Sequence, residues 1–472
     1  MKILFATAEA GPFIRTGGLG DVAAALPPAL VKEGQEVNVV LPLYQDIPDR
    51  FRQNMRYLGN VIVPLGWRQQ YAGLFSYAYQ GVNFYFIDNE YYFKRHGLYG
   101  HFDDGERFAF FSKAILEVMP LMSFYPDVLH CNDWQTALAP LMLDLFYRER
   151  WGYKFMKTVL SIHNIEFQGA MDKFVIEDVF GIPASHYRIA EYRNNANMLK
   201  AGIECANRVV TVSPTYAKEI LDPYYAYGLE KILDIRQFKL SGILNGIDTE
   251  LYDPMKDPAL FQHFSVKSIK RKAKNKSGLQ ELLGLPVVDR PMIGMVTRLT
   301  PQKGLDLVLH VIDELMSKDI QLVILGTGDW KYESAFQELA KRYPHRLAAV
   351  INFSADLASK IYAASDMFLM PSKYEPCGLS QMIAMRYGSI PIVRETGGLK
   401  DSVVPFNPVE KTGTGFTFKT FNAYDMLDAI NRALGSYYNE EEWKAVVTNA
   451  MNEDFSWRQS AKKYIELFES IE

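Results

Sequence analysis

Short apolar runs alternate with longer amphipathic stretches along almost the whole chain. The runs are rich in Val, Ile, Leu and Phe, and their unbroken apolar character predicts strands buried on both faces. Helix-like stretches separate many of them, which is typical of parallel α/β units. The predicted strands form two series: residues 3–6, 37–41, 61–64, 84–87, 128–130, 158–162, 208–212 and 243–244, then residues 292–296, 322–325, 348–351, 367–370 and 390–393.

Two series of strands predict an α/β protein with two doubly wound domains. The chain has 472 residues, which is too long for a single hydrophobic core. A turn signal at Asn245-Gly246, followed by Asp-Pro pairs at 253–254 and 257–258, marks the boundary between the domains. We expect an N-terminal Rossmann-like domain over 1–247, a C-terminal Rossmann-like domain over 248–454, and a helix over 455–472 that packs back on the N-terminal domain.

Two local features qualify this pattern. Pro27-Pro28 lies inside the expected first helix, where proline removes a backbone hydrogen bond, so a kink or an early helix end is predicted.

Basic residues are also concentrated between 267 and 276, and a solvated helix face is favoured over contact with an anionic surface. The basic run consists of Lys267, Lys270, Arg271, Lys272, Lys274 and Lys276.

Composition and charge narrow the class of function. Hydrophobic residues make up 48% of the chain and charged residues 22%, as in ordinary globular proteins. A net charge of −4 disfavours a nucleic-acid partner, because proteins that bind nucleic acid are usually basic. No apolar stretch is long enough to span a bilayer, and Cys131, Cys205 and Cys377 are too widely spaced to form a disulfide framework. We therefore expect a cytoplasmic protein with no membrane partner; the sequence indicates no particular oligomeric state.

A short phrase occurs twice, as Thr16-Gly17-Gly18 near the start and as Thr396-Gly397-Gly398 near the end. Each copy follows an apolar run and opens a segment with helical character. A glycine pair lets the backbone approach a ligand because no Cβ intervenes, and the free N–H groups of a helix start suit an anion. The repeated phrase predicts two nucleotide-binding halves that act on one ligand.

Polar residues follow the predicted strands at the ends where ligands bind in open α/β sheets. Taken alone, each has an ordinary explanation: His163 could be a satisfied strand-end histidine, Lys303 a surface cation, and Glu375 a helix cap. Their repetition at one topological position in both domains favours a functional site. These residues are Glu9, Arg15, Gly17, Gly18, Asp21, Asn132, Asp133, Trp134, His163, Asn164, Asn245, Arg298, Lys303, Glu375, Cys377, Gly378, Leu379, Thr396 and Gly397.

Arg15, Arg298 and Lys303, together with glycine N–H groups, predict a strong anion site. A diphosphate leaving group needs such a site, because negative charge grows on it as its bond breaks. The chain contains no Asp-x-Asp, Walker A, His-Glu-x-x-His or Gly-x-Ser-x-Gly sequence. We therefore expect the cations to take the place of a divalent metal.

The motifs resemble those of the bacterial glycogen synthases, also called starch synthases, over essentially the whole length. The resemblance implies a GT-B glycosyltransferase with two Rossmann-like domains facing a central cleft. It implies transfer of glucose from ADP-glucose to the non-reducing end of an α-1,4-glucan, with retention of configuration and without a metal or pyridoxal phosphate. The motifs are Arg15-Thr-Gly-Gly-Leu, His130-Cys-Asn-Asp-Trp, Ser161-Ile-His-Asn, Leu244-Asn-Gly-Ile-Asp, Thr297-Arg-Leu-Thr-Pro-Gln-Lys-Gly, Glu375-Pro-Cys-Gly-Leu, Thr396-Gly-Gly-Leu and Phe455-Ser-Trp.

The resemblance also implies roles for individual residues. The catalytic group comprises His163 at the glucosyl unit, Arg298 and Lys303 at the diphosphate, and Glu375 at the sugar hydroxyls. The backbone of Cys377, Gly378 and Leu379 also holds the sugar, whereas Arg15, Gly18, Thr396 and Gly397 add to the diphosphate site. Asn164 and Asn245 lie beside His163, Asp133 and Trp134 line the sugar or acceptor side, and Tyr99 flanks the adenine.

Other interpretations remain open from the residues alone. The family's first motif usually begins with Lys, so Arg15 leaves room for a different donor such as UDP-glucose. A different acceptor is a further alternative, and a pyridoxal phosphorylase would need a Schiff-base lysine for which no motif is found. A catalytically inactive glucan-binding protein is the alternative from another class.

Overall fold

The computed structural model describes residues 1–471, which form two compact units. The first unit comprises Met1–Ile243 together with residues 457–471, and the second comprises Leu244–Ser456. Asn245 therefore belongs to the second unit. Glu472, the last residue of the expected C-terminal helix segment, lies outside the described residues.

The strands of the first unit form two sheets. They are β1 (Lys2–Ala6), β2 (Glu36–Pro42), β3 (Arg56–Leu65), β4 (Arg68–Tyr79), β5 (Val82–Asp88), β6 (Val128–Asn132), β7 (Lys157–Ile162), β8 (Ala170–Asp172), β9 (Glu191–Tyr192), β10 (Asn195–Asn197), β11 (Arg208–Thr211) and β12 (Leu240–Gly242). A nine-stranded sheet has the order β12-β11-β7-β6-β1-β2-β5-β4-β3, and a small antiparallel sheet has the order β8-β10-β9.

Helices flank this sheet and link its strands. They are α1 (Gly18–Lys32), α2 (Asp49–Arg52), α3 (Glu90–Phe93), α4 (Asp104–Glu117), α5 (Met119–Met122), α6 (Leu138–Phe146), α7 (Val175–Asp178), α8 (Tyr187–Ala190), α9 (Met198–Cys205), α10 (Pro214–Glu219) and α11 (Glu230–Ile235), with short 3-10 turns at Ala184–His186 and Gln237–Lys239.

The second unit is built on a six-stranded, wholly parallel sheet with the order β15-β14-β13-β16-β17-β18. Its strands are β13 (Met292–Val296), β14 (Gln321–Leu325), β15 (Leu347–Val350), β16 (Met367–Met370), β17 (Ile390–Arg394) and β18 (Phe416–Phe418). Its helices are α12 (Lys272–Leu282), α13 (Leu305–His310), α14 (Ile312–Ser317), α15 (Trp330–Arg342), α16 (Ala355–Ala364), α17 (Ser380–Arg386), α18 (Gly397–Ser402), α19 (Ala423–Tyr437) and α20 (Glu440–Asn452), with 3-10 turns at Val266–Arg271 and Pro301–Lys303.

The last helix, α21 (Trp457–Glu469), packs on the first unit. Its Tyr464 and Phe468 rings each lie 5.5 Å from the ring of His130 in β6. Arg458 donates a hydrogen bond to Glu33 at 2.7 Å, just beyond the end of α1. The C-terminal helix therefore completes the core of the unit that contains the N-terminus.

Three details differ from the sequence predictions. The predicted strand at 61–64 belongs to β3, which pairs with β4 in an antiparallel hairpin, because the two-residue link after Leu65 cannot join parallel strands. The predicted strand at 243–244 is wrong, since β12 ends at Gly242 and the chain then enters the second unit. The early end predicted at Pro27-Pro28 is also wrong: α1 continues to Lys32, and burial of Leu26, Pro27 and Leu30 offsets the missing N–H groups.

The basic run divides between surface and core. Lys272 is buried and donates to the carbonyl oxygens of Tyr362, Ala363 and Tyr387 at 2.7–3.1 Å, and burial lowers its pKa to about 7. Lys276 is buried too and pairs with Asp366 at 2.7 Å. The favoured solvated face is therefore wrong for these two lysines, which anchor α12. The prediction of a solvated face holds for Lys267, Lys270, Arg271 and Lys274, which are exposed.

Candidate active site

The predicted residues of the second unit lie where its sheet changes direction. Strands β13, β14 and β15 follow one another toward one edge of the sheet, and β16, β17 and β18 follow one another toward the other edge. The boundary between β13 and β16 is therefore the topological switch point. Ligands of open α/β sheets bind beyond the strand ends at such a point. Arg298 and Lys303 follow β13, Glu375 follows β16, and Thr396-Gly397 follows β17.

An ion pair joins two of these residues across 72 positions of sequence. Lys303 Nζ lies 2.7 Å from a carboxylate oxygen of Glu375, and the same oxygen accepts a hydrogen bond from Ser372 Oγ at 2.9 Å. Both charged side chains are largely buried, with 14% and 9% exposed. Gly304 packs directly on the carbonyl group of Pro371 at a φ of 72°, where a Cβ would collide with the oxygen. This close packing holds Lys303 against the turn that carries Glu375.

Arg298 differs from Lys303 in its surroundings. Its side chain is exposed, and it makes no ion pair within the described part of the chain. The switch point therefore carries one paired cation and one unpaired cation. The second cation leaves the cluster positively charged and available to an anion.

The second glycine pair packs against the Glu375 turn. A Cβ on Gly397 would collide with the carbonyl oxygen of Glu375, and one on Gly398 would collide with the backbone of Cys377. The N–H of Gly398 donates to the carbonyl oxygens of Glu375 and Pro376 at 3.1 and 3.2 Å. Glycine is required at both positions for this close contact with the Glu375 turn, and the contact fixes the start of α18 beside Glu375.

The turn after Glu375 also contains Cys377, Gly378 and Leu379. The Cys377 thiol is buried, and burial raises its pKa to about 12, so it stays protonated at neutral pH. The backbone of Asn245 bonds to this thiol, which places Asn245 beside the same turn. The Oδ1 atom of Asn245 is buried and has no hydrogen-bond partner among the described residues.

The first unit also places its predicted residues at a switch point, between β1 and β6. Asn132 at the end of β6 donates from Nδ2 to the carbonyl oxygens of Ala6 and His130, at 3.0 and 3.3 Å. Its Oδ1 then faces His163, whose Nε2–H donates to it at 2.9 Å. Burial lowers the pKa of His163 to about 4, so the imidazole is neutral at pH 7.

Asp133 connects β6 to the loop after β7. Its carboxylate accepts hydrogen bonds from the backbone N–H groups of His163, at 2.7 Å, and Asn164. Burial nevertheless raises the pKa of Asp133 to about 7. The residue has a φ of 54°, a left-handed conformation that costs energy for any residue with a Cβ and is concentrated at functional sites.

The loop after β1 is organised by Glu9. This buried carboxylate accepts hydrogen bonds from the N–H of Thr16, from the N–H of Gly17 at 3.4 Å, and from the hydroxyl of Tyr99 at 3.2 Å. Burial raises the pKa of Glu9, while these hydrogen bonds act in the opposite direction. Glu9 therefore positions the first glycine loop through contacts within the protein.

The first glycine pair, unlike the second, is open. A Cβ on Gly17 or Gly18 would meet no atom within 4 Å. Beside it, the exposed guanidinium of Arg15 pairs with Asp21 at 2.5 Å. An exposed pair of this kind contributes at most about 1 kcal/mol, so Arg15 can exchange Asp21 for an anionic ligand at little cost.

Tyr99 is held by a buried ion pair that sequence reasoning missed. Arg107 is fully buried, donates to the carbonyl oxygen of Leu98 at 3.0 Å, and pairs with Asp104 at 2.5 Å. Asp104 in turn accepts a hydrogen bond from the N–H of Gly100 at 2.8 Å. The pair thus fixes the backbone on both sides of Tyr99. The spacing of three positions between Asp104 and Arg107 is typical of a helical ion pair and could have suggested it, whereas the contact of Arg107 with Leu98 depends on the fold.

Trp134 directly follows Asp133 and is half-buried. Its ring lies edge-on to Phe108 at 5.1 Å, and it packs on Gly169, where a φ of 60° and the nearby indole exclude a side chain. The structure thus groups Glu9, Arg15 and Tyr99 on one side of the β1–β6 switch point and Asp133, Trp134 and His163 on the other. Asn132 belongs with the second group, and its adjacency to Asp133 in the motif is the signal that could have assigned it a role.

Two protein-family models match the chain in succession: the starch synthase catalytic domain over residues 2–235 and glycosyl transferases group 1 over residues 285–450. The glycogen synthase of Clostridium acetobutylicum is 51% identical and aligns over 100% of both chains. The chain belongs to the glycogen synthase family. The predicted family resemblance is confirmed.

Two further comparisons extend this result. The glycogen synthase of Geobacillus stearothermophilus is 48% identical over 100% of this chain and 98% of its own. The catalytic domain of starch synthase IV from Arabidopsis thaliana, bound to ADP and acarbose, is 35% identical with a TM-score of 0.89, covering 99% of this chain and 98% of that one. This glycogen synthase family member is a glycosyltransferase, and the predicted GT-B fold with two Rossmann-like α/β domains is confirmed.

Residues 1–471 of this family member contain no group of three or more His, Cys, Asp or Glu side chains placed to hold a metal ion. Over the same residues, no helix is both long and apolar enough to cross a bilayer. The expectation of a reaction without metal or pyridoxal phosphate stays a prediction.

Replacing Asp133 by asparagine is expected to change how the stability of this glycogen synthase family member depends on pH. The folded pKa of about 7 lies above the unfolded value of about 4. Between these values the folded protein holds a proton that the unfolded chain has released, so stability falls as pH rises through this window. Asp133→Asn removes this effect and keeps the left-handed conformation accessible.

The measurement is the melting temperature of both proteins between pH 5 and 8. We expect the melting temperature of Asp133→Asn, relative to that of the wild type, to increase as pH rises. Asp289→Asn is the matched control, because the Asp289 side chain is 99% exposed. A difference between Asp133→Asn and wild type that is constant over this range would contradict a raised pKa at Asp133.

Proposed function

We propose that this chain transfers glucose from ADP-glucose to the 4-hydroxyl at the non-reducing end of an α-1,4-glucan, with retention of configuration and release of ADP. The observation that carries the proposal is the Lys303–Glu375 pair beside the unpaired Arg298 at the switch point of the second unit. The relatives named glycogen synthase, and the starch synthase structure with ADP and acarbose, support this donor and this acceptor class.

The donor diphosphate is assigned to the cations and to the glycine N–H groups. Arg298 is free to bind a phosphate oxygen, and Lys303 can share its charge between Glu375 and the diphosphate. In the first unit, Arg15 can leave Asp21 for an anionic ligand, and the open backbone at Gly17 and Gly18 allows such a ligand to approach closely. The sugar hydroxyls are assigned to Glu375 and to the backbone of residues 377–379.

The proposed chemistry is substitution on one face of the sugar. The C1–O bond to the diphosphate opens, and the acceptor hydroxyl forms the new bond to C1 from the same side. The departing diphosphate oxygen accepts the proton of that hydroxyl, so no separate base is required. Arg298 and Lys303 stabilise the charge that grows on the leaving group, which is the kind of contribution that lowers a barrier most.

His163 is assigned to the glucosyl unit. Its neutral imidazole is oriented by Asn132, and its backbone N–H is held by Asp133. With its Nε2–H bonded to Asn132, the neutral ring can accept a hydrogen bond from a sugar hydroxyl at Nδ1 without opposing the positive charge that develops at C1. A protonated histidine would repel that charge, so the lowered pKa of His163 suits the role.

We further infer that the reaction requires no divalent metal and takes place in the cytoplasm. The cations Arg298 and Lys303 of the second unit supply positive charge that a metal would otherwise provide. Cys131, Cys205 and Cys377 are all free thiols, which suits a reducing compartment.

The test is ADP or UDP release from ADP-glucose and UDP-glucose, measured in parallel with and without glycogen and with and without EDTA. We expect glycogen-dependent release from ADP-glucose that EDTA leaves unchanged. Faster release from UDP-glucose would overturn the donor assignment, and loss of activity with EDTA would overturn metal independence. Binding of glycogen with no nucleotide release from either donor would identify an inactive glucan-binding protein.

A further inference from the structure

The two oxygens of the Glu375 carboxylate have different surroundings. Oε2 accepts hydrogen bonds from Lys303 Nζ at 2.7 Å and from Ser372 Oγ at 2.9 Å. A carboxylate oxygen has two lone pairs, so these two donors take up the acceptor capacity of Oε2. Oε1 accepts no hydrogen bond from residues 1–471 and is open to solvent. The carboxylate therefore presents one free oxygen to a ligand.

Ser372 follows strand β16 and is 1% exposed. The two residues after it are tied to the neighbouring 3-10 turn. The N–H of Lys373 donates to the carbonyl oxygen of Gln302 at 2.8 Å, and Gln302 Nε2 donates to the carbonyl oxygen of Tyr374 at 3.1 Å. These bonds hold the backbone next to Ser372, so its hydroxyl group reaches the carboxylate from a fixed position.

Packing leaves the carboxylate of Glu375 one main freedom, which is rotation about its terminal torsion. Gly378 lies against the stem of the side chain, since a Cβ on this glycine would come within 3.1 Å of Glu375 Cγ. The terminal torsion of a glutamate has no sharply preferred angle. Hydrogen bonds to the two oxygens therefore decide which of them faces a ligand.

Lys303 is less suited than Ser372 to set this angle. An ammonium group is a compact charge with three rotatable donors on a flexible stem. Lys303 is also assigned to the donor diphosphate, which draws its charge away from the carboxylate. The hydroxyl group of Ser372 lies on a one-carbon side chain beside an anchored backbone, so its hydrogen bond has a defined direction.

We propose that Ser372 is a positioning residue that holds the Glu375 carboxylate in the orientation in which Oε1 receives sugar hydroxyl groups of the donor. This role rests on the proposed function, which assigns those hydroxyl groups to Glu375. The two lone pairs of Oε1 can accept from two neighbouring hydroxyl groups of one hexose. Without Ser372 the carboxylate turns, so the sugar loses a pre-oriented acceptor while the contacts to the nucleotide and the diphosphate remain.

The test is isothermal titration of Ser372→Ala and of the wild type with ADP-glucose and with ADP, in the absence of acceptor. ADP carries the nucleotide and the diphosphate but no sugar, so it reports on the rest of the donor site. We expect Ser372→Ala to bind ADP-glucose roughly tenfold more weakly, whereas its affinity for ADP should change less than twofold. The KM for ADP-glucose should rise to the same degree as the dissociation constant.

A double-mutant cycle with Glu375→Ala shows whether Ser372 acts through the carboxylate. Glu375→Ala removes the group that Ser372 positions. In that background, adding Ser372→Ala should weaken ADP-glucose binding less than twofold further. A second, independent tenfold loss would overturn the proposal.

Ser365→Ala is the matched control. Ser365 is fully buried and lies just before β16, at the opposite end of that strand from Ser372, and its hydroxyl group has no partner among residues 1–471. We expect both affinities of this control to match those of the wild type.

Two outcomes for Ser372→Ala would overturn the positioning role: unchanged affinity for ADP-glucose, or equal weakening for ADP-glucose and ADP. Either of these with normal glycogen-dependent ADP release in the wild type would leave the proposed function standing. A loss confined to ADP-glucose, in a protein whose wild type releases no ADP with glycogen, would support the role of Ser372 and overturn the proposed function.

Discussion

Replacement of Arg298 by alanine is expected to lower turnover by about a hundredfold or more, the scale of losing one transition-state partner. Arg298 is exposed and makes no ion pair in the described part of the chain, so its removal strands no buried charge. The melting temperature should therefore stay close to that of the wild type. Turnover at saturating ADP-glucose and glycogen, measured beside a thermal melt, separates the two effects.

Replacement of Lys303 by alanine should lower turnover to a similar degree but should also destabilise the fold. The substitution leaves the buried carboxylate of Glu375 with Ser372 as its remaining side-chain partner. Breaking a buried pair from one side costs about 3 kcal/mol or more, because the remaining charge stays out of water. A lower melting temperature should accompany the loss of activity for Lys303→Ala alone.

Lys331→Ala is the matched control for both variants. Lys331 pairs with Asp306 at 2.8 Å, but both side chains are more than half exposed, so its removal changes the net charge equally at little cost. We expect normal turnover for this control. Near-normal turnover of Arg298→Ala or Lys303→Ala would refute the assignment of these cations to the leaving group.

Replacement of Gly397 by alanine is expected to destabilise the second unit by about 2–5 kcal/mol. Gly397 has a φ of 43°, and a Cβ there would strike the carbonyl oxygen of Glu375, which is backbone and cannot rotate away. The strain falls on the turn that holds Glu375 against Lys303. Urea unfolding of the variant, with activity measured at low temperature, provides the readout.

The equivalent substitution in the first glycine pair should leave stability unchanged and should instead raise the KM for the donor. Gly17 has extended backbone angles that any residue adopts, and a Cβ there meets no atom within 4 Å. We expect Gly17→Ala to unfold at the same urea concentration as the wild type but to show a KM for ADP-glucose raised about tenfold or more. An unchanged KM would show that this backbone does not approach the donor.

This contrast illustrates what the sequence could and could not predict. The sequence was sufficient to predict the strand ends, the two glycine phrases and the cations after β13, because parallel α/β units place ligand groups at strand ends. The two glycine pairs have the same local sequence, yet the first faces open space and the second packs on residues 375–377. That difference depends on contacts between distant segments, which local sequence does not encode.

Other features were hidden for related physical reasons. Strand β4 lies between β5 and the edge strand β3 and carries many polar and small residues, so it lacks the buried apolar run that identified its neighbours. The left-handed conformation of Asp133 and its raised pKa arise from how β6 and the loop after β7 pack together. Lys272 and Lys276 look like surface lysines until α12 is placed over the carbonyl groups that receive them.

The route of the chain has a consequence for its biosynthesis. The polypeptide leaves the first unit after Ile243 and returns only at Trp457. At translation rates of about 5–20 residues per second, the intervening stretch takes roughly 10–45 s to emerge. Throughout that interval the nascent N-terminal portion has no Tyr464 or Phe468 to cover His130. We therefore expect ribosome-bound chains to leave His130 uncovered by these two rings until the final helix is released.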